Sequence, residues 1–360
     1  MRWSLVLVAV FVLLAGYTAT EPVSEWRELP SPAAGARVLE FVPWHRGVLA
    51  FGSVPAADGR APAAWSSADG SHWRTVPVEP HSPYASLAAL ISAGVGDRMV
   101  ALGQAFGGAH ENPRMTVWSG GTGGLEEYPQ VFELFGGPHA IGVSAAAALG
   151  STDLLVGGWD GASGRYGATV WTSPDGAAWQ RRADDPALSS APGEQTGASA
   201  VSTGPSGFVV VGETLRDEKL FPLEWTSSDG VQWQRHSLFG TAAVATRVGC
   251  GATSCTVFGQ TIGASPHVLC WPAPDAVAVS GPSAAAVDTL QVVAADQRVL
   301  AVLKLDGTAH LVSVDTNCTG RQEIALPIPA AEAQVSVLPA GLLLATTDTD
   351  RSRLWLRAPH

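Results

Sequence analysis

The chain has 360 residues, a net charge of −11 and a pI near 5.2; 46% of its residues are hydrophobic and only 15% are charged. Twenty-one basic residues, nearly all Arg, face 32 acids; this excludes the dense cationic footprint that a phosphate-backbone binder needs, so no nucleic-acid partner is expected. Glycine (40) and proline (25) punctuate the chain too often for long helices, while staying below the roughly 25–30% that marks low-complexity disorder.

In chain order, Met1-Arg2 precedes an almost wholly apolar stretch from Ser4 to Gly16. It has the length of a signal-peptide core and falls short of the roughly 20 residues of a spanning helix. Residues 1–20 are expected to be an export signal, cleaved or kept as a short anchor. Leu14-Ala15-Gly16-Tyr17 has the shape of a lipobox, with Tyr17 where a lipidated Cys would stand. The protein is expected to be extracytoplasmic, secreted or associated with the cell envelope. Membrane contact is expected only through this segment if it stays uncleaved.

From Glu21 to the end the sequence repeats. Trp65, Trp118, Trp171 and Trp225 are separated by 53, 53 and 54 residues. Before each lies a short apolar run (48–52, 99–103, 154–158 and 208–212), as suits a strand buried on both faces. Further strands are predicted upstream of each run, at Val38–Val42, Leu87–Ser92, Ile141–Ala147 and Ala198–Thr203. Three units carry the same turn, S-x-D-G-x-x-W. These are Ser67, Asp69, Gly70 and Trp73; Ser173, Asp175, Gly176 and Trp179; and Ser227, Asp229, Gly230 and Trp233. The Gly suits positive φ, and the Ser and Asp can accept backbone N–H bonds. Weaker units follow through 256–271, 299–314 and 342–355, which makes seven. The last lacks an outer strand, and Glu25–Pro30 reads as an outer strand with no unit before it. The expected fold is therefore all-β: one domain over 21–360, a seven-bladed β-propeller of four-stranded antiparallel blades, its ring closed by an N-terminal strand completing the C-terminal blade.

Four cysteines at 250, 255, 270 and 318 allow three pairings in an oxidising compartment. The short spacing favours Cys250–Cys255, which leaves Cys270–Cys318. No zinc-type spacing occurs, so neither a metal nor a cofactor is expected.

The S-x-D-G-x-x-W motif resembles the Asp box, or BNR repeat, of sialidases and related propellers. The resemblance implies that these turns join strands c and d, on the face opposite the usual binding site. Carried through to activity, it implies a sialidase-like exo-glycosidase with three Arg, a Tyr–Glu pair and an Asp acid. The sequence departs from that set. Phe41-Val42-Pro43 lacks the Arg of the F/Y-R-I-P motif, and only Tyr84, Tyr128 and Tyr166 follow the signal. No residue is assigned a catalytic role.

The reading favoured by these features is a non-catalytic, monomeric propeller that binds a protein or carbohydrate of the cell envelope or exterior. The sialidase-like glycosidase is the alternative. Binding is expected on the face of the b–c and d–a loops, predicted longest in blades 2 to 4: 104–115, 128–140, 159–168, 182–197 and 213–222. Long loops on a rigid scaffold often carry function. The candidate ligand-binding residues are His110, Glu111, Arg114, Trp159, Asp160, Arg165 and Tyr166, with Trp159 the leading one; Phe106, Phe132 and Phe135 are further aromatics expected to be exposed.

Overall fold

The computed structural model describes residues 25–106, 113–161 and 166–359; the segment 1–20 expected to be an export signal and the candidates His110, Glu111 and Arg165 lie outside the described residues. Seven antiparallel sheets form a ring. Blade 1 spans 37–76, blade 2 78–127, blade 3 140–181, blade 4 194–237, blade 5 243–283 and blade 6 287–324. Blade 7 takes three strands from 332–357 and its outer strand, Trp26–Leu29, from the start of the described chain. That strand pairs with Ser352–Arg357 in the register Trp26↔Arg357 to Leu29↔Leu354, so the ring closes as the repeat phase requires. Blade 2 carries one addition, a two-residue strand (Val78–Glu79) parallel to its outer strand (Gly124–Glu127).

The core is seven separate seams, one between each pair of neighbouring blades. The second strand of a blade is buried on both sides, as in Met99–Ala105 and Gly47–Ala56, which explains the continuous apolar runs. The strand-c tryptophans Trp65, Trp118, Trp171, Trp225 and Trp271 are fully buried, each facing the preceding blade. Trp355 does the same in the blade 6–7 seam. Blade 6 has no such Trp. Val312 faces blade 5 there, and the seam is bridged by the Cys270–Cys318 disulfide. Cys250–Cys255 closes a hairpin turn between the first two strands of blade 5.

The three S-x-D-G-x-x-W turns share one hydrogen-bond pattern. In blade 3, Ser173 Oγ accepts from Gly176 N (2.8 Å), while Asp175 Oδ1 accepts from Ala177 N (2.9 Å) and Ala178 N (2.8 Å). The other two repeat it within 0.1 Å or so, through Ser67, Asp69, Ser227 and Asp229. Gly70, Gly176 and Gly230 have φ of 75°, 74° and 76°. The backbone N–H groups hold the Asp175 and Asp229 carboxyls below their usual range; His72 does most of this for Asp69. These turns are structural, and they lie on the face of the a–b and c–d turns.

One predicted loop is not a loop. Residues 213–222 continue the second and third strands of blade 4 as a tight hairpin, with Asp217 and Glu218 both at positive φ. The Trp159–Ala168 segment likewise begins and ends in strand, with Trp159 opposite Gly167 and Asp160 opposite Tyr166.

Candidate functional site

The opposite face, where the b–c and d–a connections meet, holds a pocket of about 590 Å³ at the seam of blades 2 and 3. Arg114 is the first residue of the third strand of blade 2 (Arg114–Gly121). Tyr84 precedes a single 3-10 turn (Ala85–Leu87) in the connection entering blade 2. Phe132 opens a short helical turn (Phe132–Phe135) in the connection to blade 3. These three side chains converge. The Arg114 guanidinium lies 4.4 Å from the centre of the Phe132 ring and 5.4 Å from that of Tyr84, a cation–π arrangement. Its Nε is buried without a hydrogen-bond partner, and among the described residues it forms no ion pair. Phe132 and Ile141 stay half exposed at the rim, and Val131 more so.

A second layer fixes this wall. Phe135 is buried, its ring 5.8 Å from that of Trp171. Trp171 Nε1 donates to the Leu134 carbonyl (2.9 Å), and Arg181 Nη1 donates to those of Glu133 (2.8 Å) and Leu134 (3.0 Å). Gly136 N donates to Phe132 O (2.8 Å), and a Cβ on Gly136 would meet the Phe132 ring at 2.4 Å. The Arg181 guanidinium in turn lies 3.6 Å from the Trp159 ring centre. Trp159 is 6% exposed, edge-on to Trp171. The expectation that Trp159 is an exposed aromatic is therefore corrected. Its strand runs on to Asp160, and Arg181 covers its face, so it supports the helical turn that carries Phe132. Phe135 is corrected likewise, since it is core.

The remaining candidates fall elsewhere. Asp160 faces His139 (Nδ1 to Oδ2, 3.3 Å). Tyr166, half exposed, lines a separate cavity of about 450 Å³ with Glu194, Arg216 and Asp217. Only Arg114 of the described candidates reaches the blade 2–3 pocket. Tyr84, Phe132 and Ile141, which complete it, carry no motif. Phe132 is one of the aromatics expected to be exposed, whereas Tyr84 lies in a connecting loop and Ile141 in the first strand of blade 3, and nothing in the sequence marks either of these two as a site residue. Arg60, at the matching place in blade 1, is fully used by Ser53 Oγ and the carbonyls of Gly35, Ser53 and Asp350.

The central channel, about 540 Å³, is walled by all seven inner strands. It holds Glu40, Arg247 and Glu332, the last paired with Arg37 (3.0 Å). Enclosure pushes the Glu40 carboxyl up to about 8, with Arg247 opposing. None of the three described tyrosines stands in the channel wall. Tyr128 does hydrogen-bond Glu126 (3.4 Å), but burial and then that carboxylate raise its pKa, the reverse of what a nucleophilic phenol needs. Among the described residues no three His, Cys, Asp or Glu side chains converge as metal ligands.

No protein-family model matches the chain, and no curated protein matches its sequence. Solved structures do match. The chain is similar to the β-propeller domain of the Trilobed protease from Pyrococcus furiosus (TM-score 0.51, 10% identity, 89% of this chain and 95% of that one). It is also similar to the polysaccharide lyase Uly1 (TM-score 0.55, 8% identity, 89% and 90% covered). Trypanosoma rangeli sialidase aligns at a TM-score of 0.47 with 12% identity over 89% of this chain and 54% of that one, too distant to carry an argument. The chain spans about half (51%) of the Pyrococcus horikoshii acylaminoacyl peptidase that it matches. At these identities the likeness is one of fold alone.

Proposed function

We propose that this chain is an extracytoplasmic propeller that binds a protein or carbohydrate ligand, without catalysis, on the face of the b–c and d–a connections. The observation that carries the reading is Arg114: a guanidinium with no ion pair among the described residues, laid on Phe132 in an apolar pocket about the size of a ligand site. Both disulfides fit an oxidising compartment. The S-x-D-G-x-x-W turns, read as Asp boxes, act on the other face as staples.

The reading is tested on peptide and glycan arrays with the purified full chain. A ligand is expected whose capture falls at least about tenfold in both Arg114→Gln and Phe132→Ala, with melting temperatures unchanged. Array ligands insensitive to both substitutions, or turnover of a chromogenic sialoside that Arg114→Gln abolishes, would contradict it.

A further inference from the structure

The blade 2–3 pocket is chemically one-sided. Met115, Val117, Val131, Phe132 and Ile141 line it, and two of its polar side chains, Glu127 and Gln130, are engaged within the protein. Glu127, buried, accepts from His81 N (2.7 Å) and Ser82 Oγ (2.7 Å). Gln130 Nε2 donates to the carbonyls of Tyr128 and Ala177 (2.8 Å each). Besides the Tyr84 hydroxyl, the recognition capacity left is that of the lining's cationic group, the Arg114 guanidinium. Stacking on Phe132 covers one of its faces and its Nε is shut in, so a partner meets the end that bears the two Nη atoms. That edge matches the plane of a carboxylate.

Two observations narrow the partner. The protein carries a net charge of −11, which repels polyanions and favours a single negative charge on an apolar body. The apolar lining also continues out to the rim, at Val131 (73% exposed), and Phe106 (64% exposed) follows Ala105, the strand partner of Arg114. A small free acid would leave that surface in water, whereas a chain continuing from the carboxylate covers it. We infer that the pocket takes the carboxyl terminus of a protein ligand ending in an apolar residue. The terminal carboxylate sits on Arg114, the last side chain lies against Phe132 and Ile141, and the preceding residues cross Val131 or Phe106. This rests on the binding role proposed above for the same face.

The test is fluorescence anisotropy of the full chain with N-terminally labelled Gly-Ser-Gly-Ala-Phe as free acid and as C-terminal amide. Unlabelled 3-phenylpropionate is the competitor. The free acid is expected to bind at least about tenfold tighter than the amide, and Arg114→Gln to erase that difference. Phe132→Ala is expected to weaken both forms alike, with melting curves confirming that each variant is folded. Equal binding of acid and amide, a difference that survives Arg114→Gln, or no binding at about 1 mM peptide overturns the inference. So does displacement by 3-phenylpropionate at concentrations equal to the peptide's own, which would make the ligand a free acid. If array ligands still depend on Phe132 while the acid and amide bind equally, this inference fails and the binding role stands. If no array ligand depends on Phe132 or Arg114, the binding role fails as well.

Discussion

Single residues in this propeller divide into those whose role follows from position in the repeat and those set by a distant neighbour. The S-x-D-G-x-x-W turns belong to the first group. Ser173 Oγ satisfies Gly176 N at 2.8 Å, and Asp175 satisfies two further donors that the turn leaves unpaired. Ser173→Ala is expected to cost about 1–2 kcal/mol, read as a lower urea midpoint with unchanged m-value. Gly176→Ala is expected to cost more, because a Cβ there would stand 2.1 Å from Ser119 Oγ at a φ of 74°. Trp159 belongs to the second group. It follows directly on the strand run predicted at 154–158, and the Asp160-Gly161 after it reads as loop. The residue that buries it, Arg181, is 22 positions away, and no pattern in the chain announces that contact. Arg114 is visible in the sequence as an Arg shortly before a strand-c Trp, but its lack of an ion pair among the described residues, against the full engagement of Arg60, exists only in three dimensions.

Among the elements, strands b and c were legible because burial on both faces forces unbroken apolar runs and a Trp at fixed phase. Two things were not. The helical turn Phe132–Phe135 is too short for periodicity to show. The blade 4 hairpin was hidden because its strand extensions, Glu213–Arg216 and Lys219–Pro222, mix charged with apolar residues and so interrupt the unbroken apolar run. That blade also carries a pH-sensitive seam. Glu224 is cross-strand to Val211, which packs on blade 5, and Glu213 lies two residues further along the same face. Burial pushes both carboxyls up to about 7 from an ordinary 4.5; for Glu213 a hydrogen bond from Ser199 opposes it. A carboxyl raised in the folded state binds protons there that the unfolded chain has already released. Its stabilisation is therefore present in full below about pH 4.5 and is lost as pH rises towards 7, at most about 3 kcal/mol for Glu224. The melting temperature is expected to fall between pH 5 and pH 7.5, with a shallower slope in Glu224→Gln. A slope unaltered by that substitution would show that the seam does not titrate.

At the scale of the whole molecule, the ring depends on every seam, and the closure by Trp26–Leu29 could be foreseen from the unmatched outer strand at one end and the missing one at the other. Arg353 clasps Glu28 across that joint with two bonds of 2.8 and 2.7 Å, and Trp26 Nε1 donates to Ala325 O in blade 6. The Cys270–Cys318 disulfide takes the place of the missing tryptophan in the blade 5–6 seam and closes a span of 48 residues, whereas Cys250–Cys255 closes 5. Loop-closure entropy alone gives about 4 kcal/mol for the first and about 2 for the second. Replacing Cys270 and Cys318 by Ser is therefore expected to lower the denaturation midpoint by more than replacing Cys250 and Cys255. The binding role proposed above puts ligand on the face opposite the turns, and hydrogen–deuterium exchange with the tightest-binding array ligand tests that assignment. Protection is predicted in 113–118 and 128–142, around Arg114 and Phe132, and not in the turns at 67–73, 173–179 and 227–233. Protection confined to those turns, or to the inner strands that wall the channel, would contradict the assignment of this face.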